Sequence, residues 1–368
     1  GHEMIIALVI ERGLVDVNAE EGPRLTTPLS YAAEKGLLMI VQLLLKSSKV
    51  NMDHKDEDGM TPLAHAAKDG HETIVKMLLD TGRVDPDIAD RNGRTPFCHA
   101  CECGHESIVK MLLETGRVDI NHQSEDGWTP LWHAVRGLHQ AVIQLLLESD
   151  QVEANYKNRW GETPFSYITY DTWSTDIFRL FLRAGKVDVN SKDAIGRTPL
   201  IAVLSYDSHR STKDGRLLVE TGMVEPNSRD NNGRTTLSRL ASYDDVPIFK
   251  SLFENSTAEL DCKDYSGRTP LSHAAGGAAA NTIKLLLGSH RVEADLKDNL
   301  GRTPLSYAAT GPDPIAETIK LLLGTNKVEI DSQDTSGRTP LPHAAEQLNI
   351  ASVSALLEAG ANPTLRDY

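Results

Sequence analysis

The chain has 368 residues, with 38 Lys and Arg against 52 Asp and Glu, a formal net charge of −14, 40% hydrophobic residues and 5% aromatic ones. An acidic balance without a basic block argues against nucleic acid or an anionic membrane as partner, and no run approaches the roughly 20 apolar residues that cross a bilayer. Four cysteines (Cys98, Cys101, Cys103, Cys262) are too few and too unevenly placed for a disulfide framework. They fit a reducing compartment, the cytoplasm with the nucleus as the alternative.

In chain order, Gly1–Gly13 (GHEMIIALVIERG) aligns with GHETIVKMLLDTG at Gly70–Gly82, an amphipathic helix. Residues 1–26 therefore read as a half unit, and we expect the native chain to continue upstream. Thr-Pro-Leu/Phe then recurs with its Thr at 27, 61, 95, 129, 163, 198, 269, 303 and 339, and as Thr-Thr-Leu at 235, at intervals of 34 to 37 residues. One unit, Gly59–Asp90, shows the local physics. Thr61 is placed to cap a short helix that opens on Pro62, where the missing N–H costs nothing. Leu63, Ala66 and Ala67 give that helix a small apolar face, and Gly70 ends it. Ile74 to Leu79 form a second, amphipathic helix, and the polar stretch from Val84 to Gly93 carries Asp-x-x-Gly turn chemistry.

This unit resembles the ankyrin repeat, whose T-P-L-H-x-A signature recurs about every 33 residues. The resemblance runs through ten full repeats and the leading half repeat. It implies an all-α solenoid of helix-turn-helix units with β-hairpin fingers, a single domain over 1–368. The family's first-helix His is mostly Ser here (Ser30, Ser166, Ser238, Ser272, Ser306), and the Gly-x-Val-Asp-x-Asn segment at Gly185–Asn190 is one residue longer than the common form. In these features the array is similar to those attached to large fungal signalling proteins.

The array breaks its own pattern in the middle. The junction Val (Ala258 at repeat seven) precedes the next Thr by a constant 11 residues from Val50 to Val328, so length changes fall on the helical side, at repeats five, six and nine, and are expected at the turn between the two helices. All four Trp (Trp128, Trp132, Trp160, Trp173) lie in repeats four and five, and 14 of the 19 aromatics lie between Trp128 and Phe253. Phe165, Phe178, Phe181, Phe249 and Phe253 read as core. Trp128 stands where other repeats have Arg, Trp160 stands at a finger tip, and Tyr170-Asp171, Tyr206-Asp207 and Tyr243-Asp244 end the first helices of repeats five to seven. The resemblance places these positions along a concave groove. Exposed aromatics mark interaction sites, so Trp128, Trp132, Trp160, Tyr170, Asp171, Trp173, Tyr206, Asp207, Tyr243 and Asp244 form the candidate binding set. Asp171 and Asp245 are also placed to cap second helices.

No catalytic signature appears, and we expect no cofactor and no metal. Cys98, Cys101 and His105 share a helix face but lack a second ligand pair of zinc spacing. His65, His99, His133, His273 and His343 form a column shared with Tyr31, Tyr167 and Tyr307, which points to packing between repeats. The expected function is a monomeric, non-enzymatic scaffold that binds a protein or peptide, basic in character, at repeats four to seven. The alternative is a small-molecule site for a cationic or aromatic ligand, or an atypical enzyme, closed by the repeat-six insertion and using His209, Asp207 and Tyr206. A methylated-lysine cage is a third reading.

Overall fold

The computed structural model describes residues 16–169, 174–204, 209–254, 258–311 and 315–365. Among the described residues there are twenty helices and no strands. The half-repeat helix expected over Gly1–Gly13 lies outside them. The chain groups into two compact units, Gly1–Val187 with repeats one to five and Asp188–Tyr368 with repeats six to ten.

Each repeat is a pair of short helices, such as Pro62–Lys68 and Glu72–Asp80 in repeat two. Thr61 Oγ1 accepts the Ala64 N–H at 3.1 Å, and Pro62 occupies the first helical position. The same threonine cap recurs in every repeat except the last, where Thr339 makes no side-chain cap bond. Leu63, Ala66 and Ala67 of the first helix and Ile74, Val75 and Leu78 of the second are buried. Small residues on the first helix let neighbouring first helices approach, while the longer aliphatics of the second close the outer side of the core.

The expected β-hairpin fingers are tight turns with only isolated bridges, at Glu21–Thr26 and Arg229–Thr235. In the repeat-two finger the Asp56 N–H donates to Met60 O at 3.1 Å and the Gly59 N–H to Asp56 O at 2.9 Å. Asp56 Oδ1 accepts from the Asp58 and Met60 N–H groups, which fixes the turn. Successive fingers are joined by single backbone bonds: Arg91 N–H to Asp58 O, Glu125 N–H to Asn92 O and Arg159 N–H to Asp126 O, at 2.9 to 3.1 Å. Gly59 sits at φ +79°, and a Cβ there would lie 2.7 Å from the Arg91 nitrogen, so the turn and the close approach both demand glycine.

The turn between the two helices carries a second rung. His71, His105 and His139 each place Nε2 on a carbonyl at the end of the preceding repeat's first helix (Glu34, Lys68 and Glu102, at 2.8 to 3.0 Å). In repeat six the second helix runs His209–Glu220 over the described residues and ends four residues before the junction Val224, as Asp80 does before Val84 in repeat two. At 12 residues against 9 it is three residues longer, so the insertion expected at the turn lengthens the helix instead.

Candidate functional site

In repeats two, three, eight, nine and ten the central column pairs a finger carboxylate with a first-helix side chain. In repeat three Asp90 Oδ2 takes the Arg94 guanidinium at 3.2 Å and His99 Nε2 at 3.0 Å, while its Oδ1 accepts two backbone N–H groups. Burial pushes the Asp90 carboxyl up, but the His99 hydrogen bond, the Arg94 N–H and the Arg94 charge outweigh it and hold it down at about 2. His65 with Asp56, His273 with Asp264 and His343 with Asp334 repeat the contact at 2.8 to 3.0 Å, and in repeat nine the Tyr307 hydroxyl donates to Asp298. The His/Tyr column is therefore structural.

Repeat four dismantles this triad. Ser124 stands in the carboxylate position and Trp128 in the Arg position, and neither ring nitrogen of the buried His133 has a hydrogen-bond partner. Burial drives His133 down to about 4, against a smaller opposing pull from Glu102, so its ring is neutral near pH 7. In repeat five the column reads Asn158, Glu162 and Tyr167, with the Asn158 amide donating to Glu162 at 3.0 Å.

The aromatics fill the space the triad leaves. Trp128 stacks on Trp132 (6.1 Å between ring centroids, 13°), meets the edge of His133 at 5.7 Å and tilts against Trp160 at 6.2 Å. Trp132 in turn packs on Tyr167 at 5.1 Å, and its Nε1–H donates to Tyr156 O at 3.3 Å. At the cluster's surface Trp160 is 44% exposed and Trp128 half-buried, while Tyr156, whose carbonyl takes the Trp132 N–H, is 40% exposed. Arg136 lies 4.7 Å over the Trp128 ring and Arg159 4.3 Å over that of Trp160, and Arg159 also pairs with Asp126 at 2.6 Å.

The candidate residues divide accordingly. Trp128 and Trp160 come together on adjacent fingers. Trp132 is 1% exposed because its position, three after the capping Thr, is the buried slot that Ala64 and Cys98 fill elsewhere; it backs the surface and offers none. Tyr170, Asp171, Trp173, Tyr206 and Asp207 lie outside the described residues. Tyr243 is 47% exposed in the second unit. Asp244, at φ +54°, is committed: its carboxylate accepts the Thr282 N–H at 2.8 Å and the Asn281 amide at 3.0 Å, a link to the next repeat made by different atoms from the histidine rung of repeats two to four. Asp245 caps the next helix through the Ile248 N–H.

Cys98 and Cys101 face the core, burial raises Cys98 to about 11, and His105 is bonded to Lys68 O. Among the described residues no group of three or more His, Cys, Asp or Glu converges as a metal site, and no helix is long and apolar enough to cross a membrane. Sequence reasoning missed Arg136 and Arg159; it read Tyr167 and His133 as packing between repeats, which Tyr167 does against Trp132, but not that His133 would be left without a partner. The serine at 124, in a column otherwise nearly all Asp, was the available signal.

Paired helices capped by Thr-Pro and joined finger to finger define a helical repeat solenoid of the interaction-scaffold class. The family described as "Ankyrin repeats (3 copies)" matches residues 1–90, 29–123, 82–158, 116–193, 237–334 and 277–367. The chain belongs to the ankyrin-repeat family, whose repeats serve as protein-interaction scaffolds. It is also similar to alpha-latrotoxin-Lhe1a of Latrodectus hesperus, 39% identical over 59 residues that make up 16% of this chain and 4% of that protein.

Proposed function

We propose that the array, residues 1–368, works as a monomeric scaffold that holds a protein or peptide of basic character on the finger side, with Trp128 and Trp160 as the anchor. The observation that carries this reading is a half-exposed Trp160 over a stacked Trp128–Trp132 base, at the column where Ser124, Trp128 and His133 stand in place of Asp, Arg and a paired His. Large aromatics on a rigid base give affinity at little entropic cost. The net charge of −14 favours a basic partner at long range.

A free cation caged by the Trp faces, as in the methylated-lysine reading, is disfavoured because Arg136 and Arg159 already lie on those faces. Peptides selected on the immobilised protein from a random display library test the proposal. Trp160→Ala should weaken the selected ligands by about tenfold or more, the loss typical of an interface anchor. Undiminished binding by a folded variant would remove the anchor. The small-molecule or enzymatic alternative at Tyr206, Asp207 and His209 falls outside the described side chains. Loss of a ligand or a turnover on His209→Ala, with peptide binding intact, would favour it.

A further inference from the structure

Three residues after each junction Val or Ala, the repeats carry either Asn (18, 121, 155, 190, 227) or Asp (53, 87, 261, 295, 331). The asparagines make a two-point clamp on the following repeat. Asn18 Oδ1 accepts the Asn51 N–H at 2.8 Å, while its amide donates to Lys49 O at 2.9 Å. Asn121 does the same with the Glu153 N–H and Gln151 O, and Asn190 with the Glu225 N–H and Met223 O, all at 2.8 to 2.9 Å. In each case the accepting carbonyl lies two residues before the donating N–H.

The aspartates keep half of the clamp. Asp87, Asp261 and Asp295 accept the N–H of Asp119, Glu293 and Glu329 through Oδ2 at 3.0 to 3.3 Å. Their Oδ1 atoms are buried without a hydrogen-bond partner. By the register of the asparagine rungs, each Oδ1 takes the place of an amide nitrogen that would face the carbonyl of Arg117, Arg291 or Lys327. Two acceptors that meet there repel unless a proton lies between them.

We propose that Asp87, Asp261 and Asp295 are acid-operated latches: each binds one proton from solvent and donates the new O–H to the carbonyl of the next repeat, completing the clamp that asparagine makes permanently. Burial raises all three carboxyls above the usual carboxylate value. Asp85 and Asp119 facing Asp87, Glu293 facing Asp261 and Glu329 facing Asp295 push the same way, and His122 near Asp87 and Lys297 near Asp295 oppose. Asp261 and Asp295 also line one cavity of about 520 Å³ with His290, Arg291, Glu293 and Lys327. A carboxyl whose native pKa is raised favours the folded state at low pH and loses that contribution as pH rises through the native value. The latches therefore tighten in mild acid, above the pH of about 4 at which carboxyls in the unfolded chain titrate.

The test uses the whole chain with Asp87→Asn, Asp261→Asn and Asp295→Asn, singly and combined. At pH 7 each asparagine should raise the thermal midpoint by about 2–4 °C, the shift expected when one net hydrogen bond is gained in a unit of this size. The advantage should shrink steadily as the pH is lowered toward 4.5. A midpoint unchanged or lowered at pH 7, or a gain independent of pH, would overturn the proposal. Carboxyl-carbon NMR on the unsubstituted chain is the second reading. Titration of Asp87, Asp261 and Asp295 above the usual carboxylate range supports the latches, and titration within it rejects them.

Discussion

His133 is where this array departs most from its own chemistry. Every other histidine in its column holds an aspartate, and this one holds nothing, because Ser124 is too short and carries no charge. Ser124→Asp should restore the pair, since the N–H groups of residues 126 and 128 stand where Asn92 and Arg94 donate to Asp90. The His133 ring should then titrate above its value in the unsubstituted chain in a proton NMR titration, the direction in which Asp264 pulls His273 against its burial. No change would mean that the carboxylate does not reach the ring. This change of column partner was legible from the sequence, because it is a substitution in a strict period. The burial of Trp132 was not. Trp132 lies inside the helix Pro130–Arg136 while Trp128 precedes its capping Thr129, and the depth at which Trp132 sits is set by how closely the next repeat approaches.

At the level of helices and fingers, backbone geometry follows from the sequence wherever one residue type dictates it. Thr-Pro at each helix start, Gly at the end of the repeat-two first helix and Asp-x-x-Gly at its finger are each local, and each is found as expected. The repeat-six insertion was misplaced because a longer helix and a longer turn carry the same residue count. Thr95→Ala removes the bond to the Cys98 N–H and should cost about 1 kcal/mol in chemical denaturation. Gly93→Ala should cost more. It combines φ +74° with a Cβ 2.9 Å from the Glu125 nitrogen, so the backbone strain and the broken finger contact add. A Gly93→Ala variant no less stable than Thr95→Ala would contradict the close approach.

For the molecule as a whole, acid acts through three groups with different signs. Asp90, Asp264 and Asp334 have lowered values, so their contribution is complete above the unfolded value near 4 and is lost as pH falls through the native one, about 2 for Asp90. His133 and His273, both lowered to about 4 chiefly by burial, lose theirs as pH falls from about 6.5 toward 4. The latch aspartates gain as pH falls toward 4 and add nothing further below it. Stability should therefore drop steeply between pH 4 and 2, and Asp90→Asn should flatten part of that drop while lowering stability at pH 7. Melting curves across the range check both, and an unchanged slope in Asp90→Asn would show that this carboxylate is not a main source. The fold was legible at this scale because ten copies average out local exceptions. The partner was not, because it depends on what the copies do not share.

The bonds between fingers have a consequence for how such a chain can change over generations. Each bond links equivalent atoms of neighbouring units, as Arg91 to Asp58 and Glu125 to Asn92 do, and from Val50 to Val328 the stretch from junction to threonine keeps one length. Loss or duplication of one complete unit leaves every remaining bond with a matching mate. A single codon gained within a finger leaves two units mismatched. Copy number is therefore free to drift while finger length is frozen, and inheritable novelty is confined to the helical side and to the identity of side chains.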